Sequence, residues 1–293
     1  MARFLKPEPG GDVRRQRVLD VLGAALDAVD PAEAVRRALK RDGDTLSVGD
    51  LRLDLRQYRR VLVVGGGKAG AAMAQATEAV LGERIAAGWI NVKYGYTAPT
   101  ARITVHEAGH PVPDEAGLRG AQAMLDLLAD TTAEDLVIGL ISGGGSALMT
   151  LPVEGVSLKD MQALTDLLLR SGAPIQAINT VRKHLSRLKG GQLARPAHPA
   201  TVVTLVLSDV VGSPLAVIAS GPTVADRTTF TDAQAVLERY GIAEHVPESI
   251  QRHLAAGAAG AIPDTPKPGD PVLERVHTVI VADNARAAEA AQR

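Results

Sequence analysis

VLVVGGGKAG, residues 61–70, reads as strand, loop and helix in succession. Val61 to Val64 form an unbroken branched apolar run, the pattern of a parallel strand covered on both faces. Gly65, Gly66 and Gly67 carry no Cβ, so the backbone there can turn sharply and lie close to a ligand. From Ala69 to Leu81 the residues favour helix, which aims the N–H groups of the loop and the positive end of the helix dipole at whatever occupies it. An anion suits that position. Lys68 points the same way, because a cation in a first helical turn costs about a few tenths of a kcal/mol unless something negative offsets it. A broken local rule at a loop is a functional hint.

Outward from this stretch, the chain of 293 residues is 46% hydrophobic and 22% charged with a net charge of −1, which allows one large or two ordinary domains with a full core. The balanced charge and the lack of a basic stripe interleaved with aromatics argue against a nucleic-acid partner. The absence of cysteine excludes disulfides and thiolate metal sites and fits a reducing, cytoplasmic compartment. MARFLKPEPGGDVRRQR lacks the apolar core of a signal peptide, and no apolar run approaches membrane-spanning length, so no membrane partner is expected. A homo-oligomer is compatible with this composition. With aromatics at 2%, the core must be built from Ala, Val, Leu and Ile.

After a start expected to be disordered, Val18, Val21, Leu22, Ala25 and Val29 share one helical stripe. Asp30-Pro31 with Glu33 then supplies the cap, first-turn proline and N3 acid of a second helix. LRLDL, residues 51–55, alternates leucine with charge as a half-exposed strand, and WINVKYG and RITVHEAG are further strands. Asp114 can cap a helix running to about Leu128, and DLVIGLI, residues 135–141, is a buried strand that ends in a second glycine loop, SGGGSA, residues 142–147. Ser157 and Asp160 open another helix, and one more runs from about Asn179 to Leu188 before Gly190-Gly191 stops it. TVVTLVLSDVVG, residues 201–212, and HTVIVADN, residues 277–284, are each strand then loop. Strands alternating with helices predict an α/β fold with a mostly parallel sheet sandwiched by helices.

In such a sheet the C-terminal ends of the strands share one edge, where ligands bind. Gly65 to Lys68, Ser142 to Ser146, Ser208-Asp209 and Asp283-Asn284 each follow an apolar strand and should converge there. Two glycine-hydroxyl loops, a lysine and an aspartate supply what phosphoryl transfer needs: N–H donors for phosphate oxygens, a cation, and a carboxylate for magnesium. Each loop alone is equally well a tight turn between strand and helix. On the helix expected at 179–189, Arg182, Ser186 and Lys189 recur at i, i+4, i+7 and form a basic face that can clamp a carboxylate or phosphate or simply be solvated. His110, in AGHPVPDEAG, can serve as a base or substrate contact or just satisfy its loop.

Gly65 to Gly70 formally matches the G-x-G-x-x-G dinucleotide fingerprint. That fingerprint expects a ribose-binding acid about twenty residues on, whereas GWINVKYG offers Lys93, which disfavours NAD and leaves NADP open. Lys68 is followed by alanine, so the loop is no Walker A motif either.

VVGGGKAGAAM, AGHPVPDEAG, ISGGGSAL, NTVRKHLSRLKGGQLA and SDVVGSPLAVIASGPT, in this order, resemble the glycerate 2-kinase family, whose members have also been labelled hydroxypyruvate reductases. The resemblance spans nearly all of residues 13–290. It implies a Rossmann-like fold and ATP- and Mg2+-dependent phosphorylation of D-glycerate at its 2-hydroxyl. It also implies a cleft between this domain and a C-terminal MOFRL-type domain. By matching position Lys68 takes the place of the family's catalytically important lysine. The expected catalytic residues are Lys68, Arg182 and Asp209, with Asp209 also holding Mg2+. Gly65, Gly66, Gly67, Ser142, Gly143, Gly144, Gly145 and Ser146 are expected to hold ATP phosphates, and Arg182, Lys189 and His110 the substrate. Ser213 and Ala216 stand where an acidic pair is expected, weakening the expectation of strong metal or nucleotide binding. The chain ends at Arg293, inside the helix begun by Asp283-Asn284, so residues 1–293 are expected to be the first domain without the second. An NADPH-dependent reductase and a non-catalytic remnant are the alternatives.

Overall fold

The computed structural model describes residues 13–293; the start expected to be disordered lies outside them. The chain opens with α1 (Val13–Ala28) and α2 (Pro31–Ala38), the latter capped by the Asp30 side chain accepting the Glu33 N–H. Next comes an antiparallel meander of β1 (Leu39–Asp42), β2 (Thr45–Val48) and β3 (Leu51–Asp54), so LRLDL belongs to a small separate sheet. Then strands and helices alternate: β4 (Arg60–Gly66), α3 (Gly70–Leu81), β5 (Ile85–Lys93), β6 (Ile103–Ala108), α4 (Glu115–Leu128) and β7 (Asp135–Ser142). A helical excursion follows, with α5 (Gly145–Leu148), α6 (Leu158–Arg170), α7 (Ile175–His184) and α8 (Ala194–Ala197). The chain returns through β8 (Thr201–Leu207), leaves again through α9 (Phe230–Arg239) and α10 (Glu248–Ala258), and closes with β9 (Val276–Ala282) and α11 (Asn284–Gln292).

The main sheet has six parallel strands in the order β6-β5-β4-β7-β8-β9. This is the α/β sandwich expected from the alternation of elements. Along β4, Val61 and Val63 join the core that holds α2 and α3, whereas Leu62 and Val64 join the core that holds α4. That two-sided burial is why the strand carries no polar alternation. A third core ties α6, α7, α9 and α10 into a helical lobe through Leu164, Leu168, Val181, Phe230 and Leu254.

Two helices depart from expectation. The apolar stripe of α1 exists, yet no residue of that helix is buried; Val18 and Leu22 remain about half exposed. Helix α7 stops at His184, before Leu185, Ser186, Leu188 and Lys189. Backbone pairing with the 151–153 segment ends it: Val153 N–H donates to the Leu185 carbonyl, Arg187 N–H to that of Leu151, and Pro152 bridges Ser186. Arg182, Ser186 and Lys189 therefore do not form one helical face. No helix among the described residues is long and apolar enough to cross a membrane.

Candidate active site

The C-terminal ends of β4, β7 and β8 bring their loops into contact. Lys68 N–H donates to the Gly143 carbonyl at 2.9 Å and Ala69 N–H to Ser142 Oγ at 3.1 Å, stitching the two glycine loops together. Asn284, after β9, donates through Nδ2 to the Asp209 carbonyl at 3.1 Å. Lys68 Nζ stands 3.9 Å from Asp209 Oδ2, both side chains partly open to solvent. The four expected loops thus share one rim. Lys68 lies just before the helix rather than in its first turn, because Ala69 is the N-cap and α3 begins at Gly70.

The two glycine loops differ in what they offer. Gly65 and Gly66 belong to β4 and sit inside its ladders with β5 and β7. The Gly67 N–H is spent on the Asn91 carbonyl at 3.0 Å. Those of Lys68 and Ala69 are spent on the second loop, and that of Gly70 on the Gly67 carbonyl. The expectation that the first loop's amides face a ligand is therefore not met. Its glycines serve close packing instead: at φ +151° Gly65 passes so near β7 that a Cβ would stand 2.0 Å from the Leu140 carbonyl oxygen. Ser142 is likewise buried, its hydroxyl taken by Ala69.

The second loop is open. Gly144 adopts a left-handed conformation, φ +87° and ψ −9°, ahead of the single turn of α5. Among the described residues no acceptor faces the N–H groups of Gly143, Gly144, Gly145 or Ser146. Successive amides in such a turn form an anion-binding concavity. Asp209 stands beside it; a Cβ on Gly143 would lie 2.2 Å from Asp209 Oδ2. Asp209 supplies a carboxylate at this point, and the described residues contain no cluster of three metal-binding side chains. One carboxylate fits magnesium, which takes most of its ligands from water and phosphate oxygens.

Beyond this rim lies a cavity of about 480 Å3 between the sheet edge and the helical lobe. His110, Gly144, Ser146, Arg182 and Lys189 all line it, so the three expected substrate contacts meet in one place although they do not share a helix. Arg182 comes from α7 and donates only a long 3.4 Å contact to Thr165 Oγ1. Lys189 is 2% exposed and donates to the Met149 carbonyl at 2.9 Å. Burial, reinforced by the like charge of Arg182, pushes the Lys189 ammonium down to about 7. Burial also lowers His110, helped by Lys68 and Lys93. Neither Arg182 nor Lys189 has a carboxylate partner among the described residues.

Several site residues were not singled out from the sequence. Ser146 Oγ meets Ser220 Oγ at 2.9 Å, and Ser220 donates to Asn179 Oδ1 at 3.1 Å. Ser220 is fully buried at φ +61°, a costly conformation for a residue with a side chain, and nothing in its local sequence announces it. Asn91 did carry a signal, as the lone amide in an apolar strand. It is fully buried and donates through Nδ2 to the Gly117 and Leu148 carbonyls, holding α4 and α5 to the strand end. Ser213 and Ala216 sit in the loop after β8, with Ser213 at φ +47° and no acid in their place.

Residues 17–255 match the model of the DUF4147 family, a domain of unknown function. The chain belongs to that family. It is 45% identical to a glycerate 2-kinase of Pyrococcus horikoshii over 279 residues, covering 95% of this chain and 62% of the relative. It is 43% identical to a putative hydroxypyruvate reductase of Agrobacterium vitis, covering 88% of this chain and 55% of the relative. A crystal structure of glycerate kinase from Thermotoga maritima superposes with a TM-score of 0.80 at 40% identity, covering 94% of this chain and 60% of that one. The chain thus spans less than two thirds of the relatives it matches, and the family assignment rests on that shared portion.

Proposed function

We propose that the chain carries the phosphate and carboxylate subsites of an ATP-dependent glycerate 2-kinase, which transfers the γ-phosphoryl group to the 2-hydroxyl of D-glycerate and gives 2-phospho-D-glycerate. One observation carries the reading: a cavity with two basic side chains, Arg182 and Lys189, that have no carboxylate partner among the described residues opens beside a row of uncommitted amides, Lys68 and Asp209. Carboxylate at one end and phosphate at the other describes a small hydroxy acid meeting a nucleoside triphosphate.

Phosphoryl transfer depends on positioning and charge neutralisation more than on a protein nucleophile. In this reading the Gly143–Ser146 amides and Lys68 hold phosphate oxygens. Arg182 and Lys189 anchor the glycerate carboxylate, and His110 flanks the reacting hydroxyl. Asp209 would hold Mg2+, which supplies charge neutralisation at the phosphates. The first glycine loop acts by placing Lys68, not by donating its own amides. The cysteine-free composition supports a reducing, cytoplasmic setting.

The test is a titration of the purified chain with Mg·ATP and with NADPH, repeated on Lys68→Ala. Lys68 is partly exposed and its contact to Asp209 is long, so the variant should melt within about 1 kcal/mol of the parent. Mg·ATP should bind the parent and weaken by about tenfold or more in the variant, the worth of a charged hydrogen bond. Equal affinity in both, or NADPH binding without ATP binding, overturns the proposal.

A further inference from the structure

A buried ammonium group needs three acceptors. Lys189 Nζ has one, the Met149 carbonyl, and no other acceptor faces it among the described residues. A neutral amine has one N–H fewer to place and no charge to solvate, so that single contact leaves far less unmet. The charges around it give no help to the ammonium form. From α7 comes Arg182, of the same sign. From α6 comes Asp166, whose carboxylate is paired with Arg170 at 2.9 Å on the same helix. From the loop after β6 comes His110, itself biased toward neutrality. Asp226, whose carboxylate lies beside Gly190, is taken by Lys183 at 3.2 Å. Segments 145–148 and 218–220 contribute hydroxyls, those of Ser146 and Ser220, and no charge.

We propose that the cavity takes its carboxylate ligand together with a proton: Lys189 stands as a neutral amine when the cavity is empty and becomes the ammonium partner of the carboxylate when it is filled. This rests on the reading of the cavity as the glycerate carboxylate site. The proton comes from solvent or buffer; no bond other than N–H forms. The incoming carboxylate brings the acceptors that the protein withholds, so the ammonium is stabilised only in the complex. Arg182 keeps its charge in both states and provides the initial attraction.

The consequence is a pH-dependent affinity with a definite sign. Below about pH 7, where the free lysine is already charged, affinity for D-glycerate is flat. Above it, affinity falls by about tenfold per pH unit, and at pH 8 roughly 0.9 proton is taken up per ligand bound.

The experiment uses the 293-residue chain with 13C-methylated lysines, Lys189→Arg serving to assign the Lys189 signal. The chain is titrated with pH alone, then with D-glycerate and with glycerol at pH 8, and proton uptake is measured by calorimetry in two buffers of different ionisation enthalpy. The expected result is a Lys189 signal near neutrality at pH 8 that moves to the ammonium position with D-glycerate and not with glycerol. Lys189→Arg, permanently charged, should bind D-glycerate with no proton uptake and no change of affinity between pH 7 and 9. A Lys189 signal already that of an ammonium in the empty chain at pH 8 overturns the proposal whether or not glycerate binds. Glycerate binding without movement of that signal overturns the proton coupling and leaves the carboxylate site standing. No response of either protein to D-glycerate overturns the carboxylate reading and the proposal with it.

Discussion

Replacing Gly143 by alanine separates a role in the site from a role in the fold, with Gly65→Ala as its counterpart. At Gly143 the new Cβ would meet Asp209 Oδ2 at 2.2 Å and its Cγ at 2.7 Å. The obstructing atoms are the far end of a half-exposed side chain, which can swing into solvent. The lost contact to Lys68 is a surface pair at 3.9 Å, so stability should fall by no more than about 1 kcal/mol. At Gly65 the Cβ would meet the Leu140 carbonyl oxygen at 2.0 Å and the chain holds φ +151°. Only separation of β4 from β7 relieves that clash. Backbone strain of about 1–3 kcal/mol and overpacking of about 1–3 kcal/mol add to roughly 2–6 kcal/mol. That is a fall of about 4–24 °C in melting temperature for a domain of this size. The assay pairs thermal unfolding by circular dichroism with Mg·ATP titration. Gly143→Ala should melt within a few degrees of the parent and lose about ten- to a hundredfold in Mg·ATP affinity, because Asp209 no longer faces the amide row. If Gly143→Ala binds Mg·ATP unchanged, Asp209 is not a metal-bearing residue. If it melts as low as Gly65→Ala, the distinction drawn between the loops fails.

Three further outcomes follow from buried charges. Asp135, at the N-terminal end of β7 and with no side-chain exposure, accepts from Arg60 and from the Thr132 N–H, and the Arg60 guanidinium holds its carboxyl far below the usual carboxylate range. Asp135→Asn should cost about 3–5 kcal/mol near neutral pH. That difference is present above the unfolded value of about 3.9 and should shrink as the pH falls below it, which urea titrations at pH 7 and pH 3 would read. Lys183→Met leaves Asp226 buried without its cation and should cost about 3–5 kcal/mol, with part recovered in the double variant with Asp226→Asn. Lys189 titrates near 7 in the folded chain and near 10.5 otherwise, so the unfolded chain binds the extra proton between these values and stability rises with pH across them. Lys189→Met should therefore be most stabilising below pH 7, and its advantage should be gone by about pH 10; an advantage independent of pH would contradict the burial of a titrating amine.

The sheet was legible because its strands are short apolar runs separated by glycine or capping residues, as in DLVIGLI before SGGGSA and in Asp114 before α4. Convergence of the loops was legible too, since parallel strands leave no choice about which edge their C-terminal ends occupy. What was hidden depends on partners distant in sequence. Leu185 and Leu188 continue an apolar helical period, yet the 151–153 segment claims the backbone of residues 185 and 187 and ends α7 at His184. The i, i+4, i+7 basic face therefore does not form: Arg182 reaches the cavity from a helix and Lys189 from the turn beyond it, while Ser186 is not among the residues that line it. The stripe on α1 was visible, but periodicity says nothing of whether a neighbour covers it.

The two glycine loops show why composition underdetermines chemistry at such a rim. Both are glycine triplets after an apolar strand, and both were expected to donate amides to phosphate. A glycine can be selected for the space its missing Cβ leaves or for the conformations it permits, and these uses compete. Gly65 and Gly67 serve the first: Cβ atoms there would lie 2.0 Å from the Leu140 carbonyl oxygen and 2.1 Å from Ser142 Oγ, and such close backbone approach commits the neighbouring amides to protein acceptors. Gly144 serves the second, turning the chain through the left-handed region so that four successive N–H groups meet no acceptor among the described residues. The loop that packs fixes the position of the loop that binds, through Lys68 N–H on Gly143 and Ala69 N–H on Ser142. In the proposed reading, anion affinity therefore belongs to residues 143–146, and the glycines of residues 65–67 act on it by holding Lys68 and that second loop in register.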